Sequence, residues 1–179
     1  MKNTIIPYGK QNITREDVDA VIEALKSDFL TQGPRIKKFE DEFAEYVGSK
    51  YAVAVSSGTA ALHLCTLALG VKSGDSVFCQ SITFSASANP IAYQGAIPVF
   101  IDSEIDTWNM DPVLLRSALE EAKQKGKLPK AIIPVHLYGM PAKMVEILTI
   151  AHEYGVPVIE DAAEALGSSI DNKPCGSFG

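Results

Sequence analysis

Val53-Ala54-Val55-Ser56-Ser57-Gly58-Thr59-Ala60-Ala61-Leu62 runs from an apolar, β-branched stretch through a small-polar turn into a helix start. Val158-Ile159-Glu160-Asp161-Ala162-Ala163-Glu164-Ala165 follows the same outline, with two adjacent carboxylates where the apolar run ends. A strand that passes directly into a helix is the unit of an α/β fold, and the rest of the chain repeats it.

Working outward, Tyr51–Val55 is expected as a strand and Thr59–Leu69 as a helix. Ser76–Cys79, Ile97–Ile101, Ala131–Val135 and Val156–Ile159 are further strand candidates, apolar throughout as when both sheet faces are covered. Helices are expected over Ser85–Tyr93, from Pro112 after an Asp111 cap, and over Ala142–Tyr154. Leu115, Ala118, Leu119 and Ala122 line the second of these. The alternation predicts right-handed crossovers and a three-layer α/β/α fold with a mainly parallel sheet.

N-terminal to this lie two amphipathic helices. Thr14 is the expected N-cap of the first, with Asp17 approximating a capping box and Val18, Val21, Ile22 and Leu25 at helical spacing. Leu30-Thr31-Gln32-Gly33-Pro34 breaks the pattern; Ile36, Phe39, Phe43 and Val47 then share a face up to Gly48. Residues 1–13 are expected as a polar arm, and residues 14–179 as one domain. Ser168 to Gly179 is polar and Gly-rich with no closing element, so the sheet reads as unfinished.

In parallel sheets ligands bind beyond the carboxyl ends of the strands. Ser57–Thr59, Thr83-Phe84, Asp102, His136 with Tyr138, and Asp161 all fall there. The free N–H groups and positive dipole of a helix start at Gly58 suit a phosphate. A carboxylate at a buried strand end needs a partner or a task. Together they fit a phosphorylated cofactor whose ring nitrogen wants a negative partner, with pyridoxal 5′-phosphate (PLP) as the leading candidate. Each residue also has a plainer reading. Ser57-Gly58-Thr59 is also an ordinary helix start, and Asp161 also reads as a structural acid. Glu160 reads as a solvated neighbour, Phe84, Trp108 and Tyr138 as packing, His63 as a packed histidine, and His136 as a structural or a catalytic group. His152 suits a helix end.

A net charge of −6 with no Lys/Arg block disfavours nucleic acid as a partner. No apolar run has signal-peptide or membrane-spanning length, so a cytoplasmic location is expected. Cys65, Cys79 and Cys175 are widely spaced, which argues for free thiols, and the histidines lack ligand spacing, so no metal is expected. Nucleotide-binding and hydrolase signatures (GxGxxG after a strand, GxxxxGK[ST], GxSxG) are absent from the sequence.

Five segments in order resemble the DegT/DnrJ/EryC1/StrS family of PLP-dependent nucleotide-sugar aminotransferases. They are Leu30-Thr31-Gln32-Gly33-Pro34, Ser57-Gly58-Thr59-Ala60-Ala61-Leu62, Thr83-Phe84 with Asn89-Pro90, Pro134-Val135-His136-Leu137-Tyr138-Gly139, and Glu160-Asp161-Ala162-Ala163-Glu164-Ala165-Leu166-Gly167. The resemblance covers almost the whole chain and implies the N-terminal part of a fold type I large domain. By resemblance Gly58 and Thr59 bind the cofactor phosphate, Phe84 stacks on the ring, Asp161 pairs with the ring nitrogen, Glu164 helps hold the cofactor, and Thr31 lines the sugar side. The implied substrates are a nucleotide-linked keto sugar and an amino-acid donor, glutamate, in surface polysaccharide or glycan biosynthesis. The implied assembly is a homodimer with sites built from both subunits. By resemblance the family's Schiff-base lysine is expected shortly beyond Gly179, and Lys173, in a polar loop segment, does not match it; the chain alone is therefore expected to be a fragment inactive as a transaminase. A sugar 3-dehydratase of the same family and a non-catalytic binding protein remain as alternatives.

Overall fold

A computed structural model describes residues 10–179. Most of the expected N-terminal arm, residues 1–9, lies outside the described residues. At the centre is a parallel sheet of β1 (Ser76–Gln80), β2 (Ile97–Ile101) and β3 (Ile132–Ile133), in the order β2-β1-β3. Residues 156–161 continue it beside β3 through the parallel bridges Ile132↔Val158 and Val135↔Asp161. The Ile132 N–H donates to the Pro157 carbonyl at 3.0 Å, Ile159 to Ile132 at 2.9 Å and Asp161 to Pro134 at 3.0 Å. Pro134 and Pro157 have no N–H to give, so this edge is a broken ladder, shorter than the strands expected at 131–135 and 156–159.

Successive side chains of β1 point to opposite faces, and the core divides accordingly. Val77 and Cys79 pack with Leu62 of α3 (Gly58–Ala68) and Ile91 of α4 (Asn89–Tyr93). Phe78 packs on the other face with Leu115 and Leu119 of α5 (Pro112–Gln124) and Met144 and Ile147 of α6 (Met144–Tyr154). Ile132 and Ile133 divide the same way. A strand apolar at every position therefore has a covered partner layer on each side, giving the expected α/β/α arrangement.

The caps follow the sequence closely. Thr14 and Asp17 form the reciprocal capping box of α1 (Arg15–Leu25), and the Asp111 carboxylate accepts the Val113 N–H at 2.7 Å. Pro34 opens α2 (Pro34–Val47), which ends on left-handed Gly48.

Three local expectations are corrected. Residues 51–55 form no strand: they have no neighbouring strand among the described residues, Tyr51 and Val53 are exposed, and the Ala54 N–H donates instead to Glu40 at 2.9 Å. The Ser85–Tyr93 helix is a single 3₁₀ turn (Ser85–Ser87) followed by α4, because Pro90 has no N–H for the i−4 carbonyl and cannot sit inside one continuous helix. The last segment is not featureless. β4 (Ser169–Ile170) and β5 (Lys173–Pro174) pair antiparallel across Asp171 and Asn172, both at positive φ.

Candidate active site

The chain leaves β1 toward β2 on one side and later returns to β3 on the other, which makes the β1/β3 boundary a topological switch point. At its carboxyl end is a cavity of about 230 Å³ lined by residues that include Gly58, Thr59, Thr83, Phe84, Asp161 and Glu164. Five residues singled out from sequence as cofactor-binding thus meet in one space. Thr31 does not: it is exposed between α1 and α2 and is not among the lining residues.

Each lining group has a local cause. Ser57 caps α3, accepting the Ala60 N–H at 3.1 Å, so the helix starts at Gly58 with its positive end toward the cavity. The first N–H groups of a helix lack intrahelical acceptors and remain available to an anion. Phe84 lines the cavity and is 80% exposed, so a large aromatic area is open to a ligand. Asp161 is only 7% exposed. Its Oδ2 accepts the Ser87 hydroxyl at 2.7 Å, and its Oδ1 accepts the Ala163 N–H at a longer 3.3 Å.

Glu164 and Glu160 have different tasks. The Glu164 carboxylate accepts the Tyr138 N–H at 2.9 Å and so ties the turn after β3 to the turn after residue 161. Tyr138 takes up a left-handed conformation there, at φ 52. For Glu160 the structure rejects the plainer reading, a solvated neighbour, in favour of a carboxylate with partners. Its buried carboxylate bonds His136 Nε2 at 2.7 Å and accepts N–H groups from Phe178 at 2.7 Å and Gly179 at 3.2 Å, and from Gly176. Burial opposes its charge, but the His136 ring and these N–H groups outweigh it and hold the carboxyl below its ordinary value.

His136 is a structural group. It is fully buried, and Nδ1 accepts the Ala142 N–H at 2.9 Å, so the ring proton sits on Nε2 and points at Glu160. His136, Glu160 and Cys175 bring ligand-type atoms within 4.8 Å of one another, but the histidine nitrogens and the carboxylate are already engaged by protein groups. Cys65, Cys79 and Cys175 are unpaired.

Sequence reasoning missed the buried polar groups behind the cavity. Gln80 and Asn109 are fully buried and joined at 3.2 Å. Gln80 accepts the Met110 N–H at 2.8 Å, while Asn109 accepts the Leu137 N–H at 3.0 Å and donates to the Met140 carbonyl at 2.8 Å. This network holds the turn that carries Leu137 to the cavity wall. Ser87 was also missed, although two hydroxyls one helical turn apart, Thr83 and Ser87, were a visible signal.

A family profile described as the DegT/DnrJ/EryC1/StrS aminotransferase family matches residues 11–179. EpsN of Bacillus subtilis (strain 168), provisionally named a pyridoxal phosphate-dependent aminotransferase, is 59% identical over 160 residues, 89% of this chain and 41% of its own. The GDP-perosamine synthase of Escherichia coli O157:H7 is 42% identical over 176 residues, 97% of this chain and 46% of its own. The crystal structure of a DegT DnrJ EryC1 StrS aminotransferase from Brucella abortus superposes with a TM-score of 0.81 at 38% identity, over 90% of this chain and 43% of that one. The chain spans a little under half the length of the relatives it matches.

Proposed function

The chain belongs to the DegT/DnrJ/EryC1/StrS aminotransferase family, and from that premise we propose that its cavity is the PLP cradle of a sugar aminotransferase. The substrate we assign is a nucleotide-linked keto sugar, with glutamate as amino donor, in surface polysaccharide or glycan synthesis in the cytoplasm. The name of the GDP-perosamine synthase relative supports the nucleotide linkage. Among the described residues no helix is long and apolar enough to cross a membrane.

The observation that carries the reading is the convergence of the α3 N-terminus, an uncovered aromatic face and a buried carboxylate on one cavity. These are the three surfaces a phosphorylated pyridine ring needs, so the residues fit the cofactor. When bound, PLP supplies an electron sink for deprotonation at the carbon that carries the amino group. Gly58 and Thr59 bind its phosphate through the helix N-terminus. Phe84 sets the ring plane. Asp161 holds a proton at the ring nitrogen, because a buried carboxylate within reach stabilises the cationic ring. Glu164 fixes the turn opposite.

Among the described residues no lysine lines the cavity. We therefore assign these 179 residues the cradle and not the Schiff base, and by themselves they bind without turnover. Thr31 stands exposed outside the cavity of its own chain, which suits a site shared between two copies in a homodimer.

Titration with pyridoxamine 5′-phosphate, which needs no Schiff base, tests the cradle. Saturable binding that is weakened about tenfold or more by Asp161→Asn is expected. Absence of binding, or binding indifferent to both Asp161→Asn and Phe84→Ala, rejects the reading. Borohydride reduction with PLP followed by intact mass should leave the 179-residue chain without a cavity adduct.

A further inference from the structure

We propose that Ser87 and Thr83 are positioning residues for Asp161, joined in a hydroxyl relay whose protons can run only one way. The proposal rests on the reading of Asp161 as partner of a ring nitrogen. Ser87 is fully buried, and its Oγ lies 2.7 Å from Asp161 Oδ2. Thr83 Oγ1 lies 2.7 Å from the same Ser87 Oγ.

Counting protons fixes the direction. An ionised carboxylate has none to give, so Ser87 donates to Asp161. A hydroxyl has a single proton, so the Thr83–Ser87 bond is made with the Thr83 proton. The order is Thr83 to Ser87 to Asp161. Two consequences follow for the cavity that Thr83 and Asp161 both line. Thr83 has no proton left for a ligand and faces it only as an acceptor. Asp161 has Oδ2 occupied from behind, while Oδ1, with one long contact, keeps its acceptor capacity. The carboxylate is thus turned in one orientation by the hydroxyl behind it.

The relay predicts that Ser87→Ala unties Oδ2 in a buried place and loosens the orientation of the carboxylate. The test is pyridoxamine 5′-phosphate affinity at neutral pH, with the absorbance band of the bound ligand as the readout of its ring nitrogen, for the wild type and for Ser87→Ala, Ser87→Thr, Thr83→Val and Asp161→Asn. Ser87→Ala is expected to bind about tenfold more weakly and to move the bound band toward that of the free ligand. Ser87→Thr keeps the hydroxyl and should restore both. Thr83→Val should move both in the same direction by less, about threefold in affinity, since Ser87 can still donate. Wild-type affinity and band in Ser87→Ala overturn the relay, as does an equal loss in Ser87→Thr, which would point to a steric role. If Ser87→Ala fails to melt cooperatively, Thr83→Val and Ser87→Thr decide: the relay stands only if the first weakens binding and the second does not. Asp161→Asn separates the two levels. Unchanged binding there removes the underlying reading; lost binding there with wild-type affinity in Ser87→Ala removes the relay alone.

Discussion

Helices α1 and α5 are built from the same signals and end differently. Each has a side-chain cap, Thr14 or Asp111, and an apolar stripe at helical spacing. In α5 the stripe is core: Leu115 and Leu119 are fully buried against the sheet and α6. In α1 no residue is buried, and Val18, Val21, Ile22 and Leu25 all face outward. The same contrast separates β1, laddered on both sides, from residues 51–55, laddered on neither among the described residues. Periodicity specifies that a helix will form and which face it will bury, but not the surface that takes that face.

The comparison can be broken most readily in the buried half. Leu119→Ala is expected to cost about 3 kcal/mol through lost transfer and a cavity that its packed neighbours cannot fill. A loss near zero in thermal or urea melts would show that α5 is no better anchored than α1. Next, Asn109→Ala should cost about 2 kcal/mol, because the Leu137 N–H and the Gln80 amide lose a buried acceptor. Third, Glu160→Gln should cost about 1 kcal/mol at neutral pH and change the pH profile. The Glu160 carboxyl is depressed in the folded state, so its contribution is fully present above the ordinary value of 4.5 and is lost as pH falls through the lower folded value. The wild type should therefore lose stability over that acid window and Glu160→Gln should lose less; parallel profiles would remove Glu160 from the account. Smallest of all, Val21→Ser in α1 should change stability by less than about 0.5 kcal/mol if the face stays in water. A larger loss, growing with protein concentration, would show that a second copy covers α1.

What was legible in the sequence was local. The capping box at Thr14 and Asp17, the Pro34 and Asp111 starts and the β-branched runs of β1 and β2 depend on neighbours within a turn or two, and the structure follows them. The convergence of Gly58, Thr59, Phe84, Asp161 and Glu164 was also legible, because strand ends of a parallel sheet share an edge. What was not legible depended on pairing across distance. Residues 51–55 have strand composition but no partner among the described residues, and composition cannot supply one. Glu160 and Asp161 are adjacent and chemically alike, yet alternation sends one toward His136 and the chain's last N–H groups and the other to the cavity. The β4–β5 hairpin did leave a trace: Asp171-Asn172 tolerates the left-handed turn that the hairpin needs, without a glycine to announce it.

The turn at Gly139 bears on how such a site can change over generations. A side-chain carbon at Gly139 would stand 3.0 Å from the Glu164 carbonyl, and the preceding N–H, of Tyr138, is held by the Glu164 carboxylate. Where the turns after β3 and after residue 161 meet, main chain therefore sits against main chain. Substitution reshapes side chains, and at that contact there is little for it to reshape. Inherited variation in what the cavity accepts should accordingly fall to lining positions that hold neither that contact nor the cofactor, such as Ala86.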